Sequence, residues 1–238
     1  NAQTIKINKK EKKIIKIIGK NNISPVNINV PGDPSSAAFF TALTLLNKNS
    51  AIKIKNVGLN PTRIGFYELL KKQGANIKFN NLRKENNELR GDIFVKSSKI
   101  KPIKASKKYY VKSTDEYPIL FIIAALTKGI STFKGIGDLA NKESNRIKEM
   151  QKILKQVDIK SVSSGNELKI FGKEKIDIKG KKIIVPNLGD HRICMSSFVL
   201  SILLGSKILI KNFETVYTSS PSFLNIMKLL GVKFEIRQ

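Results

Sequence analysis

The clearest hydrophobic pattern in the chain lies in its middle third. The apolar residues there recur at steps of three and four: Ile147, Met150, Leu154 and Val157. This spacing predicts a helix with one buried face, and Asn141 is a suitable N-cap for it. Three charged residues would then fall in the first turn: Lys142, Glu143 and Arg146.

This first turn predicts an anion site. Two cations beside the positive end of a helix dipole are unfavourable by roughly 0.3 to 1 kcal/mol each unless an anion lies among them. The free backbone N–H groups at a helix start also attract an oxyanion or a phosphate. Glu143, held between two cations and a bound substrate, could then transfer a proton. The alternative is that the three charges only form the solvated face of an amphipathic helix.

The use of arginine favours the anion site. Of 44 Lys and Arg residues, six are arginines, which leaves 44 − 6 = 38 lysines. Since lysine already meets the needs of solubility, an arginine at a helix start indicates planar, two-pronged recognition of a carboxylate or phosphate.

The same order of elements recurs three times along the chain. Helix starts at Asp33, Asp115 and Asp190 each lead into an apolar helix. The strands predicted after these helices span 51–54, 131–134 and 207–210. A second, amphipathic helix follows each of them, at 63–74, 142–157 and 221–231. Strands then end the units, at 76–79 and 92–96, at 159–163 and 168–171, and at 232–236. The pattern predicts three similar α/β units packed around a pseudo-threefold axis.

Upstream of these units, residues 4–7 and 14–18 are predicted to form two strands joined by a charged turn at 9–13. Two strands alone are only marginally stable, so we expect this hairpin to belong to a sheet whose other strands are absent.

The third helix start repeats the anion-binding pattern. Asp190 is a suitable N-cap, and Arg192 follows in the first turn. Judged on its local sequence, Asp115 is more simply read as a helix cap than as a reactive group. We interpret His191 as structural, and Cys194, which lies among apolar helix residues, as a buried and inert thiol.

Composition narrows the classes of function. With 238 residues, of which 41% are hydrophobic, the chain can bury a real core. One Cys rules out an internal disulfide framework and fits a reducing cytoplasm, and one His with one Cys rules out a His/Cys metal cluster. A formal charge of +26 favours nucleic-acid binding. However, the lysines are spread along the whole chain, and the sequence has no Trp for an aromatic platform.

Five motifs in order resemble the 5-enolpyruvylshikimate-3-phosphate synthase (3-phosphoshikimate 1-carboxyvinyltransferase) family. They are the stretches VPGDPSSAAFF at 30–40, LNPTR at 59–63, DEYPIL at 115–120, NKESNR at 141–146 and GDHRI at 189–193. They are spread over nearly the whole chain and together are highly specific, whereas Lys-Glu-Ser alone would not be.

The resemblance implies an α/β (α+β) enolpyruvyl-transferase-like fold with two domains, each built of three βαβαββ units. Residues 1–30 would end the N-terminal domain, and 31–238 would form the C-terminal domain with repeats at about 31–96, 97–180 and 181–238. The implied reaction transfers the enolpyruvyl group of phosphoenolpyruvate to the 5-hydroxyl of shikimate 3-phosphate and releases phosphate. This reaction belongs to chorismate and aromatic amino-acid biosynthesis. No metal or organic cofactor is implied.

Residue roles follow from the matching motifs. Asp115 would accept the proton of the shikimate hydroxyl, and Glu143 would take part in proton transfer at the enolpyruvyl methylene. Lys142 would contact shikimate 3-phosphate, and Arg146 and Arg192 would bind phosphoenolpyruvate. For Asp115 the resemblance overrides the cap-only interpretation.

This sequence departs from the family in two places. Asn145 replaces the usual Asp after Lys-Glu-Ser, and residues 218–221 replace a phosphate-binding Lys that some members carry. The phosphate-binding residues of the N-terminal domain are also missing, so we expect the chain alone to have negligible turnover.

The expected partners are the two substrates and the missing domain. We expect no specific nucleic acid and no membrane partner, a cytoplasmic location, and a monomer at full length. The alternatives are an enzyme like UDP-N-acetylglucosamine enolpyruvyl transferase, a basic nucleic-acid-binding module, or a noncatalytic remnant.

Overall fold

The computed structural model describes residues 2–7, 10–15, 25, 27–178 and 181–236. The chain divides into two compact units, Asn1–Val30 and Pro31–Gln238. Whether the first unit is the end of a larger domain stays a prediction.

The first unit contains a pair of strands, the second of which begins earlier than predicted. Strand β1 (Ala2–Ile7) pairs antiparallel with β2 (Lys10–Ile15), and Ile7 lies opposite Lys10. The turn predicted at 9–13 is therefore wrong for residues 10–13, which lie within β2. The strand predicted at 14–18 is confirmed for residues 14–15. Residues 9 and 16–18 lie outside the described residues. Strand propensity depends strongly on context, so pairing with β1 outweighs the unfavourable run of charged residues.

The second unit begins with a long helix and an antiparallel sheet. Its elements are α1 (Pro34–Leu46), β3 (Ala51–Gly58), α2 (Gly65–Lys72), β4 (Asn76–Glu85) and β5 (Glu88–Lys96). The strand order is β3-β5-β4, and both pairs are antiparallel. Asp33 caps α1 as predicted, because its carboxylate accepts a hydrogen bond from Ser36 N at 2.8 Å.

The middle segment follows a related plan. Its elements are β6 (Lys104–Ala105), α3 (Lys107–Lys112), α4 (Tyr117–Ala125), β7 (Gly129–Lys134), α5 (Arg146–Gln156), β8 (Ser161–Ser164) and β9 (Glu167–Gly172). The strand order in this sheet is β6-β7-β9-β8. The pair β6 and β7 is parallel, whereas β7 with β9 and β9 with β8 are antiparallel.

The last segment is shorter. Its elements are β10 (Lys182–Val185), α6 (His191–Leu204), β11 (Lys207–Ile210), α7 (Thr215–Ser219) and α8 (Phe223–Leu229). Strands β10 and β11 are parallel. The strand predicted at 232–236 is wrong, since these described residues pair with no neighbouring strand. That the three segments are repeats around a pseudo-threefold axis stays a prediction.

Three apolar helices form the centre of the second unit. Helices α1, α4 and α6 pack against one another, and every residue of α4 is buried. A helix that is hydrophobic on all sides needs partners on all sides, which the neighbouring helices and sheets provide. Aromatic side chains from α1 and α6 meet Phe223 of α8, with ring centroids 5.6 to 6.1 Å apart.

This packing also brings the starts of the three helices together. Asp33 caps α1 and Asp190 caps α6, while a 3₁₀ turn, Thr114–Glu116, leads into α4. Residues from all three starts interact, which places the polar ends of the central helices at one site.

Truncation of the central aromatic cluster should be costly. We expect Phe223→Ala to lower the free energy of unfolding by about 3 to 5 kcal/mol, because it leaves a cavity among packed rings. Leu229→Ala in the same helix is the control, since Leu229 is 87% exposed and should change stability by less than about 0.5 kcal/mol. Denaturant unfolding at neutral pH measures both, and equal effects would contradict this account of the core.

Candidate active site

Arg146 is the centre of the site. It is the first residue of α5 and is 1% exposed. Its Nε donates to Asp190 Oδ2 at 2.9 Å, and its Nη2 lies 3.4 Å from Asp190 Oδ1. Nη2 also donates to Glu143 Oε2 at 2.6 Å. The two-pronged recognition expected of this arginine is therefore made with a carboxylate of the chain itself.

Asp190 ties two helix starts together. Its Oδ1 accepts hydrogen bonds from the backbone N–H groups of Arg192 and Ile193, at 3.0 and 3.4 Å, which confirms the predicted N-cap of α6. Its Oδ2 accepts hydrogen bonds from Arg146 and from the Ser144 hydroxyl, the latter at 2.9 Å. A fully buried carboxylate is thus satisfied on both oxygens.

Asp115 faces both predicted arginines. Its Oδ2 lies 3.3 Å from Arg192 Nη2, and its Oδ1 lies 3.8 Å from Arg146 Nη1. Asp115 is not the N-cap of α4, because the 3₁₀ turn intervenes and Glu116 takes that position without a side-chain cap. The cap-only interpretation is wrong, and the carboxylate instead lies between two guanidinium groups.

One donor at this point has no acceptor. Arg146 Nη1 is buried and makes no hydrogen bond to any described residue. Asp115 Oδ1 lies 3.8 Å from Nη1, which is beyond hydrogen-bonding distance. Because an unsatisfied buried donor is unfavourable by about 1 to 3 kcal/mol, this edge of the guanidinium is available to a bound acceptor.

Lys142 is held apart from this cluster. Its Nζ lies 3.0 Å from Asp138 Oδ2, which also accepts a hydrogen bond from the Tyr110 hydroxyl at 2.8 Å. These two donors lower the pKa of Asp138, the Lys142 hydrogen bond most. Burial, then the hydrogen bond to Asp138, raises the pKa of Tyr110. The structure thus links four of the five predicted site residues by direct ion pairs: Asp115, Glu143, Arg146 and Arg192. The fifth, Lys142, is paired with Asp138 instead.

The predicted start of α5 is wrong. Asn141 ends a 3₁₀ helix, Gly137–Asn141, and the N-cap is Asn145, whose Oδ1 accepts from Lys148 N at 3.0 Å. Lys142 and Glu143 therefore precede the helix and are not in its first turn. Asn145 thus has a structural role as an N-cap, which Asn fills as well as Asp.

Glu116 is a site residue that the sequence interpretation missed. It is 2% exposed, and burial raises the pKa of its carboxyl to about 7, against the lowering effects of Ser35, Arg192 and Arg63. The available signal was a second carboxylate directly after Asp115 and directly before an apolar helix.

His191 and Cys194, which also lie at the third helix start, are the two residues interpreted as structural. His191 is half-buried, and burial, followed by Arg192, lowers its pKa. Burial raises the pKa of Cys194 to about 12, as expected for the predicted inert thiol.

Removal of the buried cation should destabilise the fold. We expect Arg146→Gln to lower the free energy of unfolding by about 3 to 5 kcal/mol, because the charge of Asp190 then stays buried without its partner. Lys142→Gln is the matched control from the same motif; its partly exposed pair with Asp138 is worth about 0 to 1 kcal/mol.

Denaturant unfolding measures both variants. The double variant Arg146→Gln with Asp190→Asn should recover part of the loss, because Asn still caps α6. Equal stability of the two single variants would contradict the role given to this ion pair.

The comparison with known proteins gives a consistent answer. The family model described as EPSP synthase (3-phosphoshikimate 1-carboxyvinyltransferase) matches residues 1–227. The 3-phosphoshikimate 1-carboxyvinyltransferase of Zymomonas mobilis is 38% identical over 226 residues, which are 94% of this chain and 50% of that protein. The Petrotoga mobilis protein of the same name is 40% identical over 199 residues, 84% of this chain and 45% of that protein.

Solved structures agree. An EPSP synthase from Acinetobacter baumannii matches with a TM-score of 0.83 and 32% identity, over 99% of this chain and 53% of that chain. The enolpyruvyl transferase NikO from Streptomyces tendae matches with a TM-score of 0.62 over 84% of this chain and 43% of that chain. Its identity is 10%, so it shows a shared fold only.

These matches confirm the predicted family and the mixed α/β class. They do not favour a UDP-N-acetylglucosamine enzyme or a nucleic-acid-binding module. The chain spans about half the length of the curated relatives it matches. On its motifs, its fold and these matches, the chain belongs to the EPSP synthase family.

Proposed function

We propose that this chain supplies one half of an active site that transfers the enolpyruvyl group of phosphoenolpyruvate to the 5-hydroxyl of shikimate 3-phosphate. The observation that carries the proposal is the unsatisfied Nη1 of Arg146, buried beside Arg192 and Asp115. A buried guanidinium edge that lacks an acceptor favours an anionic ligand.

Phosphoenolpyruvate would bind at the two guanidinium groups. Arg146 is fixed by Asp190 and Glu143, so it offers a donor whose position is set before the ligand arrives. Arg192 is mostly buried and reaches the same place from α6. An anion bound here would satisfy Nη1 and share Arg192 with Asp115.

Asp115 is suited to accept the proton of the substrate hydroxyl. Its side chain is about two-fifths exposed, so an incoming hydroxyl can reach it. As the hydroxyl oxygen bonds to C2 of phosphoenolpyruvate, its proton passes to Asp115, and the methylene carbon gains a proton. Glu143 lies on the other side of Arg146 and is the proposed group for that second transfer. A methyl proton then returns to Glu143 as the C–O bond to phosphate breaks, which restores the enolpyruvyl group, and the released phosphate takes up the proton that Asp115 holds.

Lys142 is the proposed contact for shikimate 3-phosphate. Its side chain is about one-third exposed, and its ammonium is paired with Asp138. A phosphate would therefore have to share Lys142 with Asp138 or take it over. The pairing keeps the ammonium near the site and does not bury it.

The remaining proposals concern the whole protein. Residues 1–30 would end an N-terminal domain that completes the active site, and residues 31–238 would form the C-terminal domain. Among the described residues, no helix has both the length and the apolar character needed to cross a bilayer. We still expect the full-length protein to be a cytoplasmic, monomeric enzyme that needs no metal or organic cofactor.

The chain alone should have negligible turnover. A steady-state assay of phosphate release from the purified chain, with phosphoenolpyruvate and shikimate 3-phosphate both present, measures this. We expect no rate above background, because the phosphate-binding residues implied for the N-terminal domain are missing from this sequence. A rate near that of the Zymomonas mobilis enzyme, assayed in parallel, would contradict this expectation.

Binding of phosphoenolpyruvate should depend on Arg192. We expect Arg192→Gln to weaken binding to the chain by about 10- to 150-fold, since the charge-assisted hydrogen bonds that it removes are worth roughly 1.5 to 3 kcal/mol. Arg83→Gln is the matched control, because Arg83 is a half-exposed arginine on β4 that bonds to Asn56. Isothermal titration calorimetry gives both dissociation constants. Equal weakening, or no binding by the unmodified chain at millimolar ligand, would contradict the proposal.

A further inference from the structure

The proposed function assigns no role to the buried carboxyl of Glu116. It lies between the starts of α1 and α6, directly after Asp115, and only 2% of the residue is exposed. Its Oε1 is buried without a hydrogen bond to any residue in the described part of the chain. A buried ionised carboxylate needs partners, so this environment favours the protonated acid.

The groups that face Glu116 come from every element packed around it. They are Ser35 at the start of α1, Arg63 before α2, Tyr67 in α2, Asp115 in the 3₁₀ turn, Tyr117 at the start of α4 and Arg192 in α6. Arg63 is already engaged, since its Nη2 donates to Ser35 Oγ at 3.1 Å and lies 3.8 Å from Asp33. Arg192 therefore remains as the cation with which an ionised Glu116 would interact. The same arginine belongs to the proposed phosphoenolpyruvate site.

The charge balance of the site makes this proton important. Two guanidinium groups, Arg146 and Arg192, already face three carboxylates: Asp115, Glu143 and Asp190. The formal sum is 2 − 3 = −1. A fourth carboxylate at Glu116 would make it −2 and would oppose the binding of any anion. Burial raises the pKa of Glu116 to about 7, which places this change within the physiological range.

We propose that Glu116 is a positioning residue: it keeps its proton while an anionic substrate is bound, which leaves the charge of Arg192 to that substrate. This inference rests on the proposed function, because it takes phosphoenolpyruvate as the anion. It follows that affinity for the anion falls as the pH rises and Glu116 loses its proton. The Gln side chain, which has the same shape and no charge, should imitate the protonated acid.

The first measurement needs no ligand. The protein is labelled with ¹³C at the glutamate side-chain carboxyls, its NMR signals are followed from pH 5 to 9, and the signal of Glu116 is identified by its loss in Glu116→Gln. In Arg192→Gln the titration midpoint of Glu116 should move upward, because a cation that favours the ionised form is gone. An unchanged midpoint would overturn the inference whatever the chain binds.

The second measurement uses phosphoenolpyruvate. If only the protonated form binds, and the midpoint is near 7, the competent fraction falls from about nine-tenths at pH 6 to about one-tenth at pH 8. The dissociation constant of the unmodified chain should then rise about tenfold more over this range than that of Glu116→Gln. The ligand phosphate and His191 titrate in both proteins, so only the difference is assigned to Glu116. Glu68→Gln is the control, because it removes a partly exposed carboxylate of α2 that is paired with Lys112 of α3. Its dissociation constant should change with pH as that of the unmodified chain does.

Folding of the variant is checked separately. A carboxyl whose pKa is raised by folding stabilises the protein at low pH, and that stabilisation is lost as the pH rises through about 7. Glu116→Gln should therefore be at least as stable as the unmodified chain at pH 8 in denaturant unfolding. A large loss of stability at pH 8 would contradict the protonated state proposed here.

The outcomes separate the two proposals. A shifted midpoint with no binding of phosphoenolpyruvate overturns the proposed function, and with it the substrate named for Glu116. Binding with the same pH dependence in Glu116→Gln and in the unmodified chain overturns only the inference about Glu116. A shifted midpoint together with a flattened pH dependence in Glu116→Gln supports both.

Discussion

The ion pair between Arg146 and Asp190 sets the geometry of the whole site. Both side chains are buried, and neither charge could stay in this interior without the other. Asp190 also caps α6 through two backbone N–H groups. One carboxylate therefore joins the first residue of α5 to the first turn of α6. The orientation of the guanidinium, with Nη2 toward Glu143 and Nη1 toward Asp115, follows from this fixed pair.

The sequence predicted helix starts well where a capping residue lies directly beside an apolar run. Asp33 and Asp190 are of this kind, and each accepts the expected backbone hydrogen bond. It failed at Asn141 because several residues with capping side chains lie within a few positions there. The buried stripe begins only at Ile147, and the pair of Arg146 with Asp190, 44 residues further on, fixes the first helical residue. A distant partner of this kind leaves no trace in local spacing.

The two adjacent carboxylates, Asp115 and Glu116, show the same limit more sharply. The helix that follows them is apolar on every side, so its pattern does not indicate which carboxylate is buried. In the structure one lies between two guanidinium groups at the surface of the site, and the other is enclosed beside Ser35. Motif resemblance drew attention to Asp115, whereas Glu116 required the tertiary structure.

The small number of arginines was informative, but it indicated recognition of carboxylates in general and not ligand binding in particular. Each arginine in the described part of the chain lies within 4.0 Å of a carboxylate of the same chain. In a lysine-rich protein, arginine therefore marks carboxylate recognition in general. Two pairs of arginines share a carboxylate: Arg83 and Arg90 share Glu85, and Arg146 and Arg192 share Asp115.

What distinguishes the second pair is its position in the fold. Arg83 and Arg90 lie on the paired strands β4 and β5, and Glu85 bridges them within one hairpin. Arg146 is the first residue of α5 and Arg192 is the second residue of α6, so at both positions the helix dipole adds to the positive potential. The small number of arginines draws attention to both pairs. Only the pair of Arg146 and Arg192 lies where two helix starts converge, and this position makes it the pair suited to an anionic substrate.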